Sequence, residues 1–522
     1  MRNEINGLIF EKMMRNALNN LYVHEKEIND MNVFPVADGD TGTNMRLTLE
    51  NGLNTAKSDK HLGKYLKELS TGMLLGARGN SGVILSQLFR GMYLSLRNDS
   101  IVNPGEFRDA FIVGYKTAYM AVLKPVEGTI LTVTRMGIEN IKDKIRGSIS
   151  QKDAFKLYLD ELNKSLELTP ELLPVLKEAN VLDSGAKGYI IIIEGMYKYL
   201  SGQIVDRDLV MDEDNKEKKL EGEGDYLEIS IKLNNLNFAL EDVSKKIEEL
   251  SNSYDLKIKD KILTLKAYTS SASLIIKSLR RLGDVESLNL ENKKKEEDKI
   301  DIPEIPFKAI VYIACISGSG IKEIYKDMGV DVFLPPNPST QNFLDAFKRI
   351  KSEKIVILPN DKNIIETANQ AVKISLQKNI VIIPTKNVIE GYYALAMDVP
   401  DSTIENRLEA ISEDVGVECL NVSKAIKSYS NDLAKVNVGD YVTYMNEKIL
   451  SSDVDLLECL SKGLANYNDI SSKSSAFILL GINVDEDLEE KINELFSSKY
   501  ENIEVTILSG GQEKEDLIIG LL

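Results

Sequence analysis

Residues 32–45 read NVFPVADGDTGTNM, and the rest of the chain is organised around them. Asp38 and Asp40 are separated only by Gly39. In extended backbone, residues two apart project to the same side, so both carboxylates can converge on one hard cation. Gly39 and Gly42 permit backbone torsions that other residues resist, while Thr41, Thr43 and Asn44 add neutral oxygens and amide donors. Magnesium takes one or two carboxylates and completes its shell with water and phosphate oxygens, which suits so sparing a set of acids. The same residues also describe a turn before a helix, with Asp40 or Thr41 as its N-cap. Read alone, the stretch leaves both possibilities open.

Composition narrows the choice. A chain of 522 residues is too long for one core and predicts roughly three to four domains. The 43% hydrophobic and 28% charged content is that of a soluble globular protein. A net charge of −17 argues against general affinity for nucleic acid or anionic membrane, so an anionic ligand needs a local site. Charges run through the first apolar stretch and no segment has the length of a membrane span, which predicts a cytoplasmic protein without a signal peptide. Cys315, Cys419 and Cys459 lie far apart, as expected in a reducing compartment and not in a zinc cluster. With only two histidines, His24 and His61, the inventory leaves little for a histidine triad or a multi-histidine metal site.

Along the chain, residues 1–205 carry helical periodicity, as in LIFEKMMRNALNNLYV and FRDAFIVGYKTAYMAVL, interrupted by four polar, glycine-containing loops. A charged linker is expected at 206–224. Residues 225–290 alternate as βαββαβ, an α+β ferredoxin-like middle domain. A second linker is expected at 291–301. Residues 302–522 alternate short apolar runs such as KAIVYIACI and KIVILP with helical segments, predicting a two-lobed α/β C-terminal domain.

The other three loops have their own chemistry. GARGNSG (76–82) places Gly79, Asn80, Ser81 and Gly82 at a helix start, where free N–H groups and partial positive charge suit phosphate, and Arg78 suits phosphate oxygens. A helix turn capped by Ser81 is the competing reading. In KPVEGTILTVTR, Thr129 begins a helix as a cap or a phosphate contact, with Arg135 two turns along. In ANVLDSGAKGY, Asp183, Ser184 and Gly185 could cap a helix or bind a ribose hydroxyl. No loop is diagnostic singly; four on one helical domain favour a nucleotide site. SGSGIKE (317–323) could bind an anion, with a glycine-rich strand-to-helix turn as the better default.

The order of these four stretches closely resembles the ATP-binding A subunit of bacterial fatty acid kinase, whose N-terminal domain is similar to the nucleotide-binding subunit of dihydroxyacetone kinase. The resemblance covers nearly the whole chain and is most specific in the first domain. It implies an all-α helical barrel holding ATP and Mg2+, and a separate lipid-binding B-type subunit that carries a fatty acid; a homodimer is a further expectation. By position, it implies Asp38 and Asp40 as magnesium ligands and catalytic residues, and Thr41, Gly42, Asn44, Ser81 and Thr129 as phosphate contacts. Asp183 and Gly185 fall near the nucleoside. The related dihydroxyacetone kinases use a third aspartate slightly upstream, where Asn32 stands nearest with a different spacing. Their histidine after the DGD segment is Thr41 here, which favours the fatty acid branch. The middle domain departs from the family pattern: Leu227, Lys266 and Tyr268 stand in place of its cysteine and histidines, so no metal is expected there. The glycine-rich turn usual before NPST is replaced by LPP before Asn337.

A fatty acid carboxylate, with an ordinary pKa of about 4–5, needs no general base at neutral pH, which accords with the scarcity of histidine. The expected activity is ATP-dependent phosphorylation of a fatty acid to an acyl phosphate, with Arg78 and Arg135 as lesser candidates for offsetting charge. A small-polyol kinase or a non-catalytic nucleotide-binding scaffold are the alternatives.

Overall fold

The computed structural model describes residues 4–32, 39–122, 124–146, 148–179, 181–205, 226–234, 253–259, 262–268, 284–293 and 305–522, the last range without 414, 415, 427, 431, 432, 447, 485 and 486. Asp38 and the linker expected at 206–224 lie outside them. The chain forms two compact units, one of Met1–Arg207 with Ile302–Leu522 and one of Asp208–Asp301.

The first half of the larger unit is helical: α1 (Gly7–Met31), α2 (Thr41–Thr55), α3 (Leu62–Leu75), α4 (Gly79–Leu96), α5 (Pro104–Ala121), α6 (Ile130–Glu139), α7 (Gln151–Glu167), the short α8 (Thr169–Leu172) and α9 (Pro174–Glu178), and α10 (Ser184–Leu200). Strands β1 (Ile5–Asn6) and β2 (Ile101–Val102) pair beside them. Local chemistry starts several of these helices. Asn6 accepts the Ile9 N–H at the head of α1, and Asn103 with Glu106 forms a capping box ahead of Pro104 at α5. Each long helix packs on its neighbours, and α10 closes against α1. Their apolar faces meet in one core, in which Phe107 touches Phe10, Phe111 and Phe155 with ring centroids 5.3–5.8 Å apart.

The smaller unit contributes four antiparallel strands, β3 (Tyr226–Asn234), β4 (Ser253–Lys259), β5 (Ile262–Tyr268) and β6 (Asp284–Lys293), in the order β4-β5-β3-β6. The two helices expected between them fall outside the described residues. Strand β6 runs three residues past its expected end at 290, because pairing with β3 continues to Tyr226 opposite Lys293. The stretch expected as a linker from 291 therefore begins as strand.

The second half of the larger unit begins with alternating β7 (Lys308–Cys315), α11 (Ser319–Asp327), β8 (Val332–Leu334), α12 (Thr340–Arg349), β9 (Ser352–Leu358), α13 (Lys362–Ser375), β10 (Ile380–Ile382), α14 (Val388–Ala396) and α15 (Ile404–Ile411). The strands form a parallel sheet in the order β10-β9-β7-β8. β7 is central, and its last six residues are buried, which accounts for the uninterrupted apolar run IVYIAC. There follow β11 (Glu418–Lys424), the β12–β13 ribbon (Tyr429–Ser430 and Lys435–Val436), β14 (Tyr441–Met445), β15 (Lys448–Asp453), α16 (Leu456–Asn466), β16 (Ser475–Leu480), α17 (Leu488–Lys499), β17 (Glu504–Ser509) and β18 (Leu517–Leu521). Six of these strands make a mixed sheet, β15-β14-β11-β18-β16-β17. Phe477, Leu479 and Ile518 of that sheet share a core with Ile310 and Tyr312 of the first, so the two lobes are fused. The SGSG turn is structural: the Ile321 N–H donates to the Gly510 carbonyl, and a Cβ on Gly320 would stand 1.9 Å from the Ser509 oxygen.

The chain is thus multidomain, with an N-terminal helical region and a C-terminal α/β sheet region. No helix among the described residues is long and apolar enough to cross a membrane. Phe107, only 2% exposed, holds the aromatic cluster together. Replacing it with alanine is expected to cost about 3–5 kcal/mol, read as an earlier chemical-unfolding transition; an unchanged transition would contradict its place in the core.

Candidate functional site

Four helix N-termini converge on one place. The Ser184 hydroxyl, at the start of α10, lies 3.3 Å from the Thr41 hydroxyl at the start of α2. A Cβ built on Gly185 would stand 3.6 Å from both Ser81 Oγ, in the first turn of α4, and Ile130 Cβ, the first residue of α6. A Cβ on Gly79 would stand 2.7 Å from Asn44 Nδ2, and Gly79 has φ +56°, a conformation that glycine takes without strain. Three of the four loops that the sequence singles out, with the described end of the fourth, are therefore neighbours in space. None of α2, α4, α6 and α10 has an acidic residue in its first turn; the acids that meet their positive ends are the N-cap residues Asp40 of α2 and Asp183 of α10, the latter also bonded to the head of α6.

The start of α2 is held from α1. Asn29 Oδ1 accepts the N–H groups of Gly42 and Thr43 at 2.7 and 3.2 Å, and Asn29 Nδ2 donates to the Thr43 hydroxyl. That hydroxyl donates to Glu25, whose other oxygen takes Arg46 Nε at 2.7 Å; Arg46 also pairs with Glu50 at 2.9 Å. Gly42, expected at the phosphate, and Thr43 thus have their N–H groups, and Thr43 also its hydroxyl, committed to α1. Asp40 occupies the N-cap position of α2, but its side chain makes no capping hydrogen bond, because Asn29 supplies that oxygen. Its carbonyl accepts the Asn44 N–H at 2.7 Å. The turn reading of this stretch accordingly has Asn29 as the cap, not Asp40 or Thr41.

The two arginines serve as ties. Arg78 donates to the Asn337 carbonyl at 2.6 Å, linking the head of α4 to the α/β half. Arg135 donates to Glu127 at 2.7 Å and to the Tyr119 hydroxyl at 3.1 Å. These bonds, with burial opposing them, hold the Arg135 guanidinium above its ordinary pKa. Glu127 also accepts the Thr132 hydroxyl, so Arg135 braces the KPVEGT loop. Thr129 has the N-cap position of α6 without capping it; its hydroxyl donates to the Val126 carbonyl.

Asp183 caps α10, accepting the Ala186 N–H at 2.7 Å, and also accepts the Ile130 N–H that opens α6. Burial among these helix ends pushes its carboxyl up to about 6, and the two N–H bonds work against that rise. Asn80 donates to Asn363 at 3.3 Å, while its buried Oδ1 has no hydrogen-bond partner among the described residues. Asn32 ends α1 at its C-cap, and Gly82 packs against Thr48. Among the described residues, which exclude Asp38, no group of three or more His, Cys, Asp or Glu side chains is assembled to hold a metal.

Sequence reasoning missed Asn29, Glu25 and Asn337. Asn29 lies on α1 three residues before the quoted stretch, and its spacing there signals nothing local.

Two family models match the chain: the DAK2 domain over residues 35–198, and the FakA-like C-terminal domain of fatty acid kinase over residues 311–521. An uncharacterized protein of Staphylococcus aureus (strain MRSA252) is 30% identical over 98% of both chains. The chain belongs to the FakA-like family of fatty acid kinase subunits. Membership places it among kinase-type phosphotransferases. Among solved structures it is similar to a DegV family protein from Corynebacterium glutamicum, with TM-score 0.32 and 10% identity, covering 41% of this chain and 96% of that one. It is also similar to the dihydroxyacetone kinase from C. freundii in complex with AMP-PNP and Mg2+, with TM-score 0.29 and 15% identity, covering 38% and 35%.

The Asp183 carboxyl makes a prediction with a definite sign. Its folded pKa is raised from 3.8 to about 6, so keeping it ionised opposes folding above pH 6, and that opposition disappears as pH falls below 4. Asp183→Asn keeps an acceptor for the Ala186 N–H and removes the charge. Without nucleotide, the variant should be more stable than the parent by roughly 1–3 kcal/mol at pH 7.5, the gain vanishing near pH 4. Thermal melts across that range check it; a gain independent of pH would contradict the account.

Proposed function

We propose that the chain transfers the γ-phosphoryl group of ATP to the carboxylate of a fatty acid presented by a separate lipid-binding partner subunit, giving an acyl phosphate for lipid synthesis. The observation that carries this reading is the cradle itself: four helix N-termini without first-turn acids, gathered beside Asp40 at the head of α2. Such a place suits several phosphate oxygens. The absence of a Cβ at Gly79 and Gly185 lets Asn44, Ser81 and the head of α6 close in on those two backbones.

In this reading Thr41, Asn44, Ser81 and Thr129 and the N–H groups opening α4 take phosphate oxygens, and Asp183 and Gly185 flank the nucleoside. Asp40, with Asp38, would hold magnesium, which supplies charge neutralisation across the phosphates when bound. The acceptor carboxylate arrives ionised. One of its oxygens attacks the γ-phosphorus, a carboxyl-oxygen–phosphorus bond forms, and the bond from that phosphorus to the bridging oxygen of ADP breaks, leaving its electron pair on ADP. The N–H groups of the cradle lie ready to offset charge spreading over the transferred group. A polyol hydroxyl, by contrast, has to lose a proton. Neither histidine belongs to the four loops, and His24 is engaged with the Asn20 carbonyl at 2.8 Å within α1, which favours the carboxylate acceptor. The family's description as part of a fatty acid kinase supports a partner that delivers the lipid. The same reading takes the helical half as a barrel and the middle unit as a ferredoxin-like fold without a metal, since Leu227, Lys266 and Tyr268 are poor ligands.

The purified chain is to be mixed with ATP, magnesium and a lipid-loaded partner, and acyl phosphate trapped as the hydroxamate. The double substitution Asp38→Ala with Asp40→Ala should lower the rate by about 100-fold or more. Ordinary turnover by that variant would remove the two aspartates from the site, and no trapped product from the parent would remove the fatty acid reading.

A further inference from the structure

The loop between β8 and α12 grips the phosphate cradle from the α/β half. Asn337 Nδ2 donates to Asn44 Oδ1 at 2.7 Å, and the Asn337 carbonyl accepts Arg78 at 2.6 Å. Three residues on, the Thr340 N–H donates to the Ala77 carbonyl at 3.2 Å. One short loop therefore holds both the first turn of α2 and the residues that lead into α4. It is also stiff. Prolines at 335, 336 and 338 fix their own φ angles, and Pro338 restricts Asn337 to extended backbone. Ser339 anchors the far side in a capping box with Asn342. A glycine-rich turn could not carry a side chain to a set place so firmly.

The bond to Asn44 has a chemical consequence. With its carbonyl oxygen taken by Asn337, the Asn44 side chain turns its NH2 group toward Gly79, where a Cβ would stand 2.7 Å away. The group presented to that side of the cradle is then a donor, which suits phosphate, and not an acceptor, which would repel it. We propose that Asn337 is a positioning residue of the nucleotide site: the α/β half sets the orientation of Asn44 and Arg78, and with it the affinity of the helical half for nucleotide. This rests on the reading of the cradle as a nucleotide site. The carboxyl ends of parallel strands are where such sheets bind ligands. A ligand that shifts the 335–340 loop therefore changes nucleotide affinity, and nucleotide changes that ligand's affinity by the same factor.

The test is calorimetric titration of the full chain with AMP-PNP and magnesium. Asn337→Ala and Asn44→Ala should each weaken binding about tenfold. The double variant should be no weaker than the worse single one, because both break one link. Asn337→Asp keeps the size but cannot donate, and should weaken binding as much as the alanine, which covers the case in which the alanine variant fails to fold. Gln370→Ala is the control: it cuts other bonds across the same boundary, to Gln87 and Leu74, and one to Thr340 on its own side, without touching Asn44 or Arg78. It should lower the melting temperature yet leave affinity within about twofold of the parent. Parent-like binding by Asn337→Asp, full additivity in the double variant, or an equal loss in Gln370→Ala would overturn the proposal. No binding by the parent would overturn the nucleotide reading on which it rests, an outcome distinct from the other three.

Discussion

Bringing four helix N-termini together is electrostatically awkward, and the larger unit is arranged around relieving that conflict. Each end presents N–H groups without helical partners and a partial positive charge. Protein groups relieve part of this. Asn29 takes two N–H groups of α2, and Asp183 takes one from α10 and one from α6. The remainder faces the cradle, with Asp40 beside it. A multiply charged anion is the ligand that such a place favours.

The same economy explains why the site is not confined to one half of the unit. A cradle built only from helix ends has no rigid wall on its outer side. The proline-stiffened loop at 335–340 supplies one, through Asn337 to Asn44 and Arg78, and Asn363 adds a contact to Asn80. Burial of Asp183 among the helix ends is the cost of this crowding, visible in its raised pKa. The polar network from Glu25 through Thr43 and Arg46 to Glu50 keeps α1 and α2 in register behind it.

Much of this was legible in the sequence because the signals are local. Glycine, threonine and aspartate at the heads of apolar periodic runs mark helix starts, and the runs KAIVYIACI and KIVILP became parallel strands β7 and β9. What escaped was what depends on long-range contact. Strand β8, three residues long, has no pattern of its own. The capping of α2 by Asn29 and the reach of Asn337 across 293 positions to Asn44 leave no trace in spacing. Arg135 was only a lesser candidate for offsetting charge in the sequence, and the fold shows Glu127 and Tyr119 bonded to it. Arginine near a phosphate loop is ambiguous in sequence because the same guanidinium serves equally well as a structural tie.

The central claim is that the converging ends of α2, α4, α6 and α10 form the nucleotide site. An experimental structure of the full chain with AMP-PNP and magnesium tests it most directly. The account predicts phosphates among Thr41, Ser81 and the N–H groups that open α4, with the metal on Asp40. Nucleotide bound elsewhere, with that cradle left to solvent, would contradict it.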